Sequence, residues 1–98
     1  MIAQTITSII KPIYEQVVDA NQSITRLLTD SRTFTSASGT LFFAIQSKRN
    51  SGMNYVSELY AKGIRNFVIP AEIPAETIAE LNMADANIWQ VKNVVRAL

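Results

Sequence analysis

The chain of 98 residues has no cysteine and no histidine. Disulfides, thiolate nucleophiles, histidine general bases and the usual zinc ligand sets are therefore excluded from its chemistry, and neither a catalytic nor a metal-ligating constellation is expected. Long apolar runs are missing too. A stretch such as Leu41 to Ile45 is far short of the roughly 20 residues that span a bilayer, so no membrane partner is expected. No excess of one charge exists: nine Lys and Arg stand against eight Asp and Glu, for a net charge of +1. Nucleic-acid-binding domains usually concentrate many cations on one face, and that footprint is not indicated. The opening Met1-Ile2-Ala3-Gln4-Thr5 lacks the basic patch and long apolar core of a secretory signal, which favours the cytoplasm. No internal repeat or low-complexity segment is present.

What remains is a compact soluble composition, 48% apolar and 17% charged, which argues against disorder. A chain of this length buries roughly 60–65% of the surface its unfolded form exposes, enough for one core and too little for two. Residues 1–98 are read as a single domain.

Isoleucines 2, 6, 9, 10 and 13 fall at helical spacing, but Pro12 cannot continue a helix interior, so a short opening helix ends near Ile10 and closes one edge of the core. Glu15 to Val18 reads as a short strand and Asp19 to Gln22 as a turn. Ile24 to Thr29 then forms a second strand that delivers Asp30-Ser31-Arg32 at its exit. Phe34 to Gly39 is a polar connection. Leu41 to Ile45 is continuously apolar, the pattern of a strand buried on both faces, which is expected at the sheet centre. Ser51 can cap the next helix, Tyr55, Val56, Leu59 and Tyr60 form its buried side, and Gly63 can stop it in the left-handed conformation. Phe67 to Ile69 is the next strand, ended by Pro70. Pro74 fits the first turn of a helix to about Leu81, Asn87 to Val91 is another strand, and Asn93 to Leu98 looks like a helix cut short. Strands alternating with helices through short connections imply parallel pairing, hence a small three-layer α/β/α domain with a mostly parallel sheet.

Open parallel sheets bind ligands outside the carboxyl ends of their strands, and two loops leave such ends here, Asp30-Ser31-Arg32 and Gln46 to Ser51. Lys48 and Arg49 precede a helix start with Gly52 in its first turn, and two cations with exposed N–H groups suit a diphosphate. The Ser31 hydroxyl both donates and accepts, which suits the imide edge of uracil. Taken singly, each feature also has a plain reading. Asp30-Ser31-Arg32 can be a solvated turn, Lys48 and Arg49 surface charges, and Phe42, Phe43 and Trp89 core residues. Glu72, Glu76 and Glu80 at four-residue spacing read as a solvated helix face. No Gly-x-x-x-x-Gly-Lys-Ser or -Thr pattern occurs, so ATP has no P-loop here.

Three segments come in order: Thr29-Asp30-Ser31-Arg32, then Gly39-Thr40-Leu41-Phe42-Phe43-Ala44-Ile45, then Asn50-Ser51-Gly52-Met53-Asn54-Tyr55. Together they resemble the N-terminal domains of Mur ligases, in which an Asp-Ser-Arg turn, a Gly-x-Leu-Phe-x-Ala strand and an Asp-Gly-His-x-Phe helix start follow at this spacing. The resemblance runs from roughly Ser23 to Leu98. It implies a domain that holds the UDP portion of a UDP-N-acetylmuramoyl-peptide, within a longer enzyme whose central domain uses ATP and Mg2+. Carried over by position, Ser31 and Arg32 approach uracil, Ser47, Lys48, Arg49 and Asn50 wrap uracil and the diphosphate, and Ser51 and Gly52 lie at the helix start beside the diphosphate. The paired phenylalanines followed by Lys48-Arg49-Asn50 most resemble the members that add D-alanyl-D-alanine, in the form fused to an alanine racemase, which would add pyridoxal phosphate to the parent's cofactors. The implied partners are the UDP-linked peptide precursor and the central ATP-binding domain of the same chain.

Four positions depart from the family pattern. Ser47 replaces a glycine, Ser51 an aspartate, Met53 a histidine and Tyr55 a phenylalanine. Tyr55 keeps an aromatic core contact and Ser51 keeps a cap without the carboxylate charge. Met53 gives up any hydrogen bond made by the imidazole, and Ser47 adds a side chain where close backbone approach is required. A working UDP site, a Mur-like scaffold that docks against a neighbour without binding nucleotide, and a freestanding nucleotide-binding domain are all compatible with these residues.

Overall fold

The computed structural model describes residues 1–30, 35–45 and 52–97. The chain forms helix α1 (Ala3–Ile10), strands β1 (Tyr14–Gln16), β2 (Arg26–Leu28) and β3 (Thr40–Phe43), helix α2 (Met53–Ala61), strand β4 (Asn66–Pro70), helix α3 (Ala75–Glu80), strand β5 (Asn87–Val91) and helix α4 (Val94–Ala97). The strands form one sheet in the order β1-β5-β4-β3-β2. β2 to β5 are parallel neighbours, and β1 pairs antiparallel with β5 along Tyr14–Gln90, Glu15–Trp89 and Gln16–Ile88.

Alternation along the strands divides the core between two faces. On one face Leu41, Phe43, Val68, Trp89 and Val91 meet Ala3 and Ile6 of α1 and Val94 of α4. On the other, Phe42, Ala44, Phe67, Ile69 and Ile88 meet Val56 and Leu59 of α2, with Ile78 of α3 packed alongside. Phe42 and Phe67 contact edge to face, centroids 6.4 Å apart, the geometry aromatic quadrupoles favour. The three-layer α/β/α expectation holds, and α1 lies across a face where the sequence had placed it at an edge.

Several boundaries shift for local reasons. The continuously apolar β3 is buried throughout, but β4 is the central strand. Helices on both faces bury a strand wherever it lies inside the sheet, so the apolar run marked two-sided burial and not the centre. β1 ends before Val18 because the backbone N–H groups of Val18 and Asp19 donate to Asn87 Oδ1, at 2.8 and 2.9 Å. β2 is short because Ile24 N–H donates to Met1 and Thr25 N–H to Gly39. Val56 and Leu59 are fully buried in α2, whereas Tyr55 and Tyr60 pack at the rim. Gly63 follows α2 at φ 109°, a conformation in which a side chain would be strained. Pro74 sits just before α3 with extended backbone, at the N-cap and not within the first turn.

Candidate functional site

The carboxyl ends of β2 and β3 lie side by side, since Leu28 pairs with Phe42 one residue before β3 ends. β2 continues through Thr29 into Asp30, and Arg26 donates from a guanidinium nitrogen to Thr35 Oγ1 at 2.8 Å, tying β2 to the far side of the connection that starts there. β3 continues through Ala44, whose N–H donates to Val68 at 2.9 Å, to Ile45. The chain returns at Gly52, whose N–H donates to the Ile45 carbonyl at 2.8 Å.

Gly52 is buried, and a Cβ there would stand 2.6 Å from Ala44 Cα and 2.7 Å from Ile45 N. These are backbone atoms of the β3 exit and cannot swing aside, so glycine is required for close approach. The helix that follows thus starts directly over the end of β3. The N-cap position falls to Gly52, which makes no side-chain cap hydrogen bond; Ser51, expected as the cap, lies outside the described residues. Met53 and Tyr55 are half-buried at the rim of the core.

Of the expected site residues, Ser31, Arg32, Ser47, Lys48, Arg49, Asn50 and Ser51 lie outside the described residues. Their described flanks lie at one edge of the sheet: Asp30 and Ile45 follow neighbouring parallel strands, and Gly52 returns beside Ile45. Such an edge is where open α/β sheets hold ligands.

Solved structures with this arrangement include ligases. The chain superposes on the UDP-N-acetylmuramoylalanyl-D-glutamyl-2,6-diaminopimelate–D-alanyl-D-alanyl ligase from Acinetobacter baumannii with a TM-score of 0.71 and 26% identity, covering 98% of this chain and 19% of that one. Two crystal structures of MurF from the same organism give TM-scores of 0.71 and 0.70 at the same identity and coverage. The chain is similar in fold and sequence to one domain of these Mur ligases. It spans about a fifth of the length of the ligases it matches. No protein-family model and no curated protein sequence matches it.

The Mur ligase-like sheet also gathers residues that no motif singled out. Lys11 at the end of α1, and Lys92 and Arg96 after β5, line one hollow at the carboxyl edge. They are spread over 86 positions, each reads as an ordinary surface cation, and only the antiparallel return of β1 beside β5 unites them. Elsewhere, Tyr60, Arg65 and Asp85 form a solvent-facing cluster. Tyr60 donates to Asp85, Arg65 Nε contacts the other carboxylate oxygen at 3.2 Å, and the guanidinium stacks 4.0 Å over the Tyr60 ring. The hydrogen bond from Tyr60, with a smaller contribution from Arg65, holds Asp85 below the ordinary carboxylate range; the same hydrogen bond raises Tyr60 above the usual phenol value, against the opposing charge of Arg65. This cluster joins the end of α2 to the turn before β5 and faces away from the loop-bearing edge. Glu76 and Glu80 are exposed on α3 and Glu72 is exposed beside it, as a solvated face requires. Among the described residues no group of three or more acidic side chains could hold a metal ion.

Proposed function

We propose that this domain recognises the UDP moiety of a UDP-N-acetylmuramoyl-peptide as the N-terminal domain of a longer D-alanyl-D-alanine-adding ligase. The observation that carries the reading is that Asp30 and Ile45, the described flanks of the two motif-bearing segments, follow the carboxyl ends of adjacent parallel strands, on a fold shared with such a ligase. Ser31 and Arg32 would meet uracil, and Ser47, Lys48, Arg49 and Asn50 would wrap uracil and the diphosphate, next to the helix start at Ser51 and Gly52. The domain binds and does not catalyse. Nucleotide contacts remote from the reacting carboxylate orient the substrate, so that part of the entropic barrier is met on binding.

The chain has neither a P-loop nor, among the described residues, an acidic cluster that would fit ATP with Mg2+. On this reading both belong to a central domain of the same cytoplasmic protein, and no step is derived through them. Fusion to a pyridoxal-phosphate-dependent alanine racemase rests on the Phe42-Phe43 and Lys48-Arg49-Asn50 residues alone, and the gene sequence beyond Leu98 decides it.

Titration of the isotope-labelled chain with UDP, with AMP as control, tests the reading. Amide shifts at Asp30 to Arg32 and Ile45 to Gly52 with UDP and not with AMP are expected. Arg49→Ala should weaken the effect and leave the melting temperature nearly unchanged. Absence of shifts at millimolar UDP would favour the second reading, a Mur-like docking scaffold. Met53 favours that alternative: where the family pattern has histidine, this side chain packs against the core.

A further inference from the structure

The hollow at the end of β5 has a volume of about 730 Å³ and is lined by Ile9, Ile13 and Val91 together with Lys11, Lys92 and Arg96. That is the size of a small-molecule site. None of the three cations has an ion-pair partner among the described residues, and Glu72, which shares a smaller adjoining hollow with Lys92, makes no ion pair with it. Ile9 and Ile13 remain more than half exposed, at 57% and 54%, so the concavity joins unneutralised positive charge to uncovered aliphatic surface.

Lys11 adds a separate indication. It occupies the left-handed region, at φ 48° and ψ 67°, one residue past the end of α1. Glycine or asparagine is the usual choice there because a Cβ is strained in that conformation. A lysine kept at such a position, lining a hollow with two other cations, is a strained residue at a concave charged site, where strain tends to gather for function.

We infer that this hollow is a carboxylate-binding site for the acidic peptide arm of the ligand, an inference that rests on the proposed UDP-peptide recognition. β5 lies two strands from β3 in a sheet whose parallel strands end at one edge, which separates the end of β5, where the hollow lies, from the end of β3 by about 10 Å. A ligand anchored by its nucleotide at β2 and β3 can cross that distance with its sugar and place its peptide over β5. Glutamyl and diaminopimelyl residues, named in the ligand of the matched ligase, carry carboxylates on aliphatic stems. The carboxylates pair with Lys11, Lys92 and Arg96 while the stems cover Ile9 and Ile13.

The test follows backbone amides of the 98-residue chain with three probes: UDP, the complete UDP-N-acetylmuramoyl-tripeptide, and the free alanyl-glutamyl-diaminopimelate tripeptide, against acetate at equal ionic strength. Lys11→Gly removes a cation and relieves the strained backbone, so it folds at least as well as the parent; Lys92→Gln and Arg96→Gln complete the set. The inference predicts shifts at Lys11 and at Lys92 to Arg96 with both peptide-bearing probes and not with UDP or acetate, and a loss of about tenfold in their affinity in the triple variant with UDP binding unchanged. If UDP binds but the peptide arm adds no shifts at these residues, the inference falls, the nucleotide reading stands, and the hollow is left to an acidic protein surface. Free tripeptide that shifts them in a chain blind to UDP keeps the carboxylate site and sinks the nucleotide reading. Equal shifts with acetate overturn the site as nonspecific screening.

Discussion

The two ends of the sheet are built on opposite plans. At the amino end, Thr40, Asn66 and Asn87 stand at the starts of three adjacent strands and are buried, and their polar groups are consumed internally. Asn87 alone accepts from Val18 and Asp19 and donates to the Asp19 carbonyl at 2.9 Å and to Asn66 Oδ1 at 3.1 Å, which uses its full hydrogen-bonding capacity. Asn66 reaches on to the Thr40 carbonyl at 3.4 Å, and the Thr40 hydroxyl donates to Ser36 at 2.6 Å. At the carboxyl end, Lys11, Lys92 and Arg96 have no such partners among the described residues. A satisfied buried network fixes one register; an unsatisfied exposed edge leaves its donors for something else. One end specifies the fold and the other leaves three cations facing solvent.

The strongest challenge to that division is Gly52, a structural requirement at the carboxyl edge. Gly52→Ala should cost about 3 kcal/mol in chemical denaturation because its Cβ meets unyielding backbone. A loss under 1 kcal/mol would mean that the β3 exit is softer than its geometry indicates. Asn87→Ala strips two backbone donors of their acceptor and should cost about 2 kcal/mol. Thr7→Val removes the acceptor of the Trp89 indole N–H, at 2.8 Å, and the donor to Glu15, and should cost about 1 kcal/mol.

Lys11→Gly should raise stability by about 0.5 kcal/mol, since glycine keeps the backbone bond to Thr7 and removes the Cβ strained in the left-handed conformation. The smallest effect belongs to Asp85→Asn. The depressed Asp85 pKa means that its stabilisation is present above the ordinary carboxylate value and is lost as pH falls through the lower folded one. Wild type and variant should therefore differ near neutrality and converge in strong acid, as read by melting temperature against pH.

The legible parts of the fold were those set by local pattern. The apolar run of β3, the spacing in α2 with Gly63 after it, and the strand from Asn87 to Val91 needed no distant information. The central position of β4 and the role of Asn87 were not legible, because strand order and a side chain reaching back 69 positions to Val18 depend on tertiary pairing. At the candidate site, the motif order pointed to two segments whose described flanks, Asp30 and Ile45, leave adjacent parallel strands. The cationic hollow escaped notice because its members share no window of sequence.

The pairing of β1 with β5 carries a consequence for how the chain comes into being. Tyr14 to Gln16 find their partners only at Ile88 to Gln90, and Thr7 meets Trp89 across 82 positions. During synthesis the opening helix therefore emerges long before the surface that receives it. The β1–β5 pairing and the bond from Trp89 to Thr7 can form only once the chain has left the ribosome to beyond Gln90.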